Sequence, residues 1–417
     1  MSSTIIKILF GLAIVILLSV GGGLIWYTLF YEPAAPIEPI VATSTGPLFP
    51  VGEGVVETTI STSTASSTLG VISTGGGVRA RELATNPIAG FGVFGSGAST
   101  TIIAVDRSTG HVYRTDITSG TMSKLSNTTI VGIQEAYVGE SKNAYYIILR
   151  YEGSAGVQTH IQTIKKTVSV VTASSTNIGV GVFLSGPVVS IALSPKKDRY
   201  ATVVKGNMGS IIYITDFATS KKRELFRSPL VEWNISWPSE DTIALETKGS
   251  YRVRGTLFLI NAQTGTASRA IGNILGLTSL VNQGASQLIF AESRDKNGFN
   301  LFLHTIKTGD TTPLSFKVSP SSCLWSKRFA NTLYCAVPDV ATNIEYPDGL
   351  YRGEGSLETK LWKFNVKTGE SDILWNPSLS GRARTEALQL DLNTGETFLF
   401  YIDKISRTLW SLRLTDV

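Results

Sequence analysis

Beyond Gly77 the apolar and polar positions alternate in short runs, and the runs recur as one unit. Each unit has two apolar strands, a third strand in which large apolar and polar residues take turns, a turn often reading Thr-Gly, and a more polar fourth strand. A period of two marks strands with unequal faces, and self-similarity at a fixed spacing decides the architecture before any single residue does. The pattern predicts strands at Val188–Ser194, Arg199–Lys205, Ser210–Asp216 and Lys221–Phe226, then again at Val231–Trp237, Thr242–Lys248, Thr256–Ala262 and Thr266–Ile271. Seven third strands align: His111–Asp116, Val157–Ile161, Ser210–Ile214, Thr256–Ile260, Asn300–His304, Lys360–Phe364 and Thr408–Leu412. They lie about 44–60 residues apart, near the period of propeller blades. The predicted fold is all-β: a seven-bladed β-propeller of four-stranded blades over residues 78–417.

The last repeat supplies only three strands before the chain ends, at Thr385–Leu392, Thr397–Asp403 and Thr408–Leu414. Just before the first blade, Val78–Ala84 mimics the fourth strand Lys221–Phe226. Pairing Val78–Ala84 with Thr408–Leu414 would close the ring and cover an otherwise open sheet edge. Leu193-Ser-Pro195, Ser236-Trp-Pro238 and the aromatic third strands resemble the WD40-like propeller repeats of TolB-type periplasmic proteins, over nearly all of 78–417. That resemblance implies the propeller fold; the partners of that family are not implied by it.

Ahead of the repeats the pattern changes twice. No charge interrupts Ile8–Tyr31, a run long enough at 1.5 Å per residue to cross a hydrocarbon core of about 30 Å, with Trp26, Tyr27, Phe30 and Tyr31 at its far end, where aromatic rings favour headgroups. A cleaved secretory signal would have a shorter core and a small-residue cleavage site. Lys7 precedes the run and no Lys or Arg follows until Arg79, so residues 1–7 are expected in the cytoplasm, 8–31 as a single-pass cell-membrane anchor, and the propeller outside. Residues 32–77, rich in Pro, Ser, Thr and Gly, have no sustained apolar period and read as a disordered stalk.

Composition narrows the chemistry. Cys323 and Cys335 are the only cysteines and fall opposite each other in the first two strands of the sixth repeat, and an exported location favours a disulfide over two inert thiols. His111, His160 and His304 belong to different blades, so no metal site is expected, and no nucleotide, phosphate-loop or nucleophile-elbow motif suggests a cofactor or a catalytic residue. First-strand acids Glu135, Glu232, Glu386 and Asp391 are too few to define a hydrolase. Setting Lys7 and four stalk glutamates aside reduces 37 basic and 32 acidic residues to 36 and 28, near +8. This suits an anionic envelope partner, whereas nucleic acid is not an expected partner of an exported domain.

One loop is enlarged. Between the second and third strands of the sixth repeat, Glu345, Tyr346, Asp348, Tyr351 and Arg352 form a mixed aromatic and charged stretch, and Tyr251, Arg252 and Arg254 of the fourth repeat share its face. Tyr and Arg are enriched in binding hot spots, and long loops in compact folds are often functional, against the alternative of a tolerated surface insertion. The expected role is a non-catalytic binding or scaffold module for an envelope protein, peptide or polymer. The alternative is an exported propeller enzyme, a lactonase-like hydrolase or a glycosidase.

Overall fold

A computed structural model of the protein describes residues 71–73, 78–154, 156–166, 181–294, 298–339, 344–354, 358–378 and 385–414. The chain divides into two units, Met1–Ala65 and Ser66–Val417. The expected N-terminus, anchor and all but the end of the stalk lie outside the described residues, among which no helix is long and apolar enough to cross a membrane.

Among the described residues the second unit forms seven antiparallel sheets, the blades of a seven-bladed propeller. Six blades take four consecutive strands each, as in blade 3, where Val188–Leu193, Arg199–Gly206, Gly209–Asp216 and Lys222–Ser228 pair in order. Second strands are apolar without alternation because neighbouring blades cover both of their faces: Ile102, Ile103, Ala104 and Val105 are all fully buried. Fourth strands lie at the rim and stay polar, as the largely exposed Lys222–Ser228 does. The cores are shared between blades; one cluster joins Ala201, Val203 and Ile212 of blade 3 to Trp233, Ile235 and Trp237 of blade 4.

Turn chemistry sets the register. At Asn261 and Asn365 the side-chain oxygen accepts two following backbone N–H groups. Gly265 and Gly369 then take left-handed φ values of 77° and 79°, which only glycine adopts without steric cost.

The seventh blade joins both ends of the sequence. Val78–Ala84 runs antiparallel to Leu409–Arg413 in the register Ala80↔Leu412, Arg81↔Ser411, Glu82↔Trp410 and Ala84↔Leu409. The sheet then continues where stalk was expected: Val71–Ser73 pairs with Val78–Arg81 as a fifth strand, so the stretch assigned to stalk ends before Val71. The physical reason is the edge left by the closing strand, whose unpaired backbone groups template one more short strand.

Cys323 and Cys335 face each other across the first two strands of blade 6, with Cα atoms 4.1 Å apart, and are joined by a disulfide. The bond closes a sequence separation of 12 residues. Reducing it, or replacing both cysteines with serine, is expected to cost about 2 kcal/mol, toward the low end for disulfides because the loop is short. Equal denaturation midpoints for oxidised and reduced protein would overturn that figure.

Candidate functional site

Loops between second and third strands leave the ring on the face that also carries the blade-to-blade connections. On that face the blade-6 loop crosses blade 5 and reaches blade 4. Tyr346 is the root of this crossing. It is 1% exposed, its ring lies 4.1 Å from that of Phe299, and its hydroxyl is 2.5 Å from Thr278 Oγ1 and 3.0 Å from Ser319 Oγ. The Ser293 hydroxyl donates to its carbonyl at 2.6 Å. Tyr346 was expected among the residues offered to a partner, but blade 5 buries it instead. An aromatic ring with a polar tip suits a pocket that is apolar in body and hydroxylated at its end.

Next to it, Pro347 passes over Gly249 and Gly276, where a Cβ would approach the proline ring to 3.3 Å and strike the Leu277 carbonyl or the Ser293 hydroxyl at 2.3 and 1.8 Å. One helical turn, Asp348–Tyr351, follows. Asp348 Oδ2 accepts the backbone N–H of Tyr251 at 2.7 Å, tying blade 6 to blade 4. Arg352 is held between Glu354 at 2.5 Å and Glu345 at 3.2 Å. Together the two loops border a cleft of about 290 Å³ lined by Glu232, Lys248, Gly249, Ser250, Asp348, Tyr351 and Arg352. The Lys248 ammonium lies 5.8 Å over the Tyr351 ring and 3.4 Å from Glu232.

The sequence-predicted residues thus divide. Asp348, Tyr351 and Arg352 line the cleft and Tyr251 buttresses it. Glu345 serves Arg352, the Arg252 guanidinium packs 4.9 Å over the Tyr251 ring, and Arg254 donates to the Asn273 carbonyl at 2.7 Å.

One residue escaped the sequence reading. Glu246, in the second strand of blade 4, is buried beneath this loop; the Ser279 hydroxyl donates to its carboxylate, and Asn234 lies alongside. Burial pushes its carboxyl up to about 8, against the opposing pull of those hydrogen bonds. Burial, then the charge of Glu246, pushes the Tyr351 hydroxyl up to about 12; the ring is half-exposed while its hydroxyl turns inward toward Asn234. The signal was present as a lone acid in the apolar run Thr242–Thr247.

The first-strand acids do not converge. Glu135 pairs with Arg150 at 2.7 Å, Glu232 with Lys248, Glu386 with Lys404 at 2.7 Å, and Asp391 with Lys197 at 2.7 Å. The last pair reaches from blade 3 to blade 7, and Lys197 also donates to the Val93 carbonyl of blade 1 at 3.2 Å, so it ties three blades together on the face opposite the cleft. His160 and His304 lie in third strands and His111 directly before one. Among the described residues no three His, Cys, Asp or Glu side chains are grouped to hold a metal ion.

The sequence matches no protein-family model and no curated protein. Solved structures do resemble it. An oligogalacturonate lyase in complex with manganese aligns with a TM-score of 0.53 at 10% identity, covering 84% of this chain and 96% of the lyase. TolB from Acinetobacter baumannii aligns at 0.37 and 13%, covering 78% of this chain and 79% of TolB. The β-propeller domain of the Trilobed protease from Pyrococcus furiosus aligns at 0.41 and 9%, covering 64% and 77%. At such identities the likeness concerns the fold: the chain is a seven-bladed β-propeller, and TolB is among the propeller proteins it resembles.

Proposed function

We propose that this chain is a membrane-tethered extracytoplasmic propeller that works without catalysis, as a binding or scaffold module for an envelope protein, peptide or polymer, and that the partner meets the cleft between blades 4 and 6. The observation that carries the reading is the anchoring of the enlarged loop. Buried Tyr346 roots it on blade 5 and Asp348 ties it to blade 4, so Tyr351, Arg352 and Lys248 are presented on a preformed surface. Preorganisation favours binding, since immobilising a side chain on association costs about 0.5–1.5 kcal/mol. The uncharged run Ile8–Tyr31 and the stalk after it supply the tether in this reading.

The rival is an exported propeller enzyme, a lactonase-like hydrolase or a glycosidase. In its favour stand the fold likeness to a lyase and the protonated carboxyl of Glu246 beside the cleft. A glycosidase needs two carboxyl groups flanking one bond, and the four first-strand acids are each engaged by a cation.

A photoreactive benzoylphenylalanine in place of Tyr351 tests the binding reading. Irradiating intact cells should give a discrete adduct that protease releases from spheroplasts together with the propeller. The same probe at Ile373, half-exposed on an outer strand, should give none. No adduct, or the same adducts from both positions, would refute binding at the cleft; an adduct shielded from protease would refute the exported topology.

A further inference from the structure

Exposed apolar side chains are unevenly shared between the two faces of the ring. Loops between second and third strands put one at or beside the tip in each of five blades: Val157 of blade 2, Met208 of blade 3, Val253 of blade 4, Tyr351 of blade 6 and Ile405 of blade 7, from 48% to 93% exposed. Two blade-to-blade connections on the same face add Val131 and Leu230. Among the described residues, the large exposed apolar side chains elsewhere are Phe329 on the opposite face and Val182, Phe183 and Ile373 on outer strands. A single exposed apolar residue is ordinary on a protein surface, but seven on one face against one on the other is not scatter.

The backbone beneath these side chains is pinned. Gly206 pairs with Gly209 across the Met208 turn, and the Ser210 hydroxyl and the Trp233 ring N–H both donate to the Leu230 carbonyl, at 2.7 and 3.2 Å. Cations stand next to the tips: Arg252 and Arg254 flank Val253, Lys404 precedes Ile405 and Arg352 follows Tyr351. Lys404 and Arg352 are paired with carboxylates, whereas Arg252 packs over the Tyr251 ring and Arg254 donates to the Asn273 carbonyl, contacts that leave both charges in place. An apolar tip beside a long cation suits a bilayer surface, the tip among acyl chains and the cation among phosphates. Hairpins at one position of successive blades lie at one level around a propeller, so the tips are spread round a face rather than gathered into a patch. A protein interface needs a packed centre with aromatic or arginine anchors, in which Val and Leu are under-represented; a bilayer accepts separate aliphatic side chains one by one. The 39 residues 32–70 span at most about 140 Å, and the chain joins the ring at the outer edge of blade 7, so either face can turn toward a membrane that holds the anchor.

We propose that the loop face of the propeller docks on the surface of the lipid bilayer, with Val157, Met208, Val253 and Ile405 entering the interface and Arg252 and Arg254 meeting lipid phosphates. The inference goes beyond binding at the cleft between blades 4 and 6 and rests on the tether of the reading proposed above. The cleft opens on the same face, so a docked propeller meets its partner at the bilayer surface.

Cys323 and Cys335 are paired, so a cysteine introduced into the full-length chain is its one free thiol. Nitrobenzoxadiazole labels on Met208→Cys, Ile405→Cys and Phe329→Cys read the two faces separately, each in the full chain reconstituted into phosphatidylethanolamine and phosphatidylglycerol vesicles that carry nitroxide lipids. The labels at 208 and 405 should shift to the blue and be quenched about twofold, and the label at 329 should do neither. Met208→Asp with Val253→Asp should lift the quenching at 405 and leave the melting temperature unchanged, because both side chains are exposed. Equal quenching at 329 and 405, or quenching at 405 that survives the double variant, would show proximity without docking and overturn the proposal. Vesicles that carry the chain with every label unquenched would overturn the docking and leave the tether standing, whereas a chain that does not float with the vesicles would refute both. Labels that shift in native envelope vesicles but not in pure lipid would assign the face to a protein instead.

Discussion

Deleting residues 2–85 should lower the melting temperature steeply and promote self-association, whereas deleting 2–70 should leave the propeller as stable as before. The difference lies in one strand. Val78–Ala84 pairs with Leu409–Arg413 from the far end of the chain, so its removal opens the ring and exposes a sheet edge to other molecules. Leu83 and Ala84 are buried with Phe91 of blade 1 and Phe400 of blade 7, while Ala80 packs with Tyr334 and Ala336 of blade 6. Arg81 adds bonds to the carbonyls of Thr118 at 3.0 Å and Ser119 at 2.6 Å on a turn of blade 1. Ladder bonds at about 0.5–1.5 kcal/mol each and burial of Leu83 at about 1.5–3 kcal/mol make the loss about 4–8 kcal/mol. Deleting 2–76 removes Val71–Ser73 alone and should give a small intermediate shift. If 2–70 and 2–85 deletions melt together, the strand contributes nothing to closure.

That strand was legible because Val78–Ala84 shares its alternation and its Arg-Glu-Leu core with Lys221–Phe226, and a repeat with three strands calls for a fourth. The third strands were legible for a similar reason: one face packs more tightly than the other, so Tyr213 and Phe258 alternate with fully buried Ile212 and Leu257. The fifth strand was not, since three residues between Ser/Thr-rich sequence and a glycine run offer one alternation at most. The enlarged loop was found, but not how it sits. The pocket for Tyr346 is built from Thr278, Ser293, Phe299 and Ser319, four residues of blade 5 and its exit that no spacing within the loop can reveal.

Between about pH 5 and pH 8 Glu246 should make the folded protein lose stability as pH rises, and Glu246→Gln should remove that contribution. Folded Glu246 keeps its proton until about pH 8, because burial penalises the carboxylate more than Ser279 and Asn234 stabilise it. In the unfolded chain the same group ionises near its ordinary value of about 4.3. Across the interval the native state therefore holds the extra proton, and stability falls by at most about 1.4 kcal/mol per pH unit from this group. Below the interval both states are protonated and above it both are ionised, so the dependence levels off at each end. Tyr351, pushed up to about 12, stays neutral throughout. His111, His160 and His304, lowered by burial, add a dependence of the opposite sign below about pH 6.5, so the slope due to the carboxyl is the difference between the natural chain and Glu246→Gln. Glutamine keeps the shape and stays uncharged, so the variant should match the natural chain near pH 5 and exceed it near pH 8. Ser279→Ala removes a hydrogen bond that favours the carboxylate and should carry the end of the slope to higher pH. Thermal melts at half-unit steps decide the matter: an unchanged slope in Glu246→Gln would mean that this carboxyl ionises at its ordinary pH despite its burial beneath the blade-6 loop.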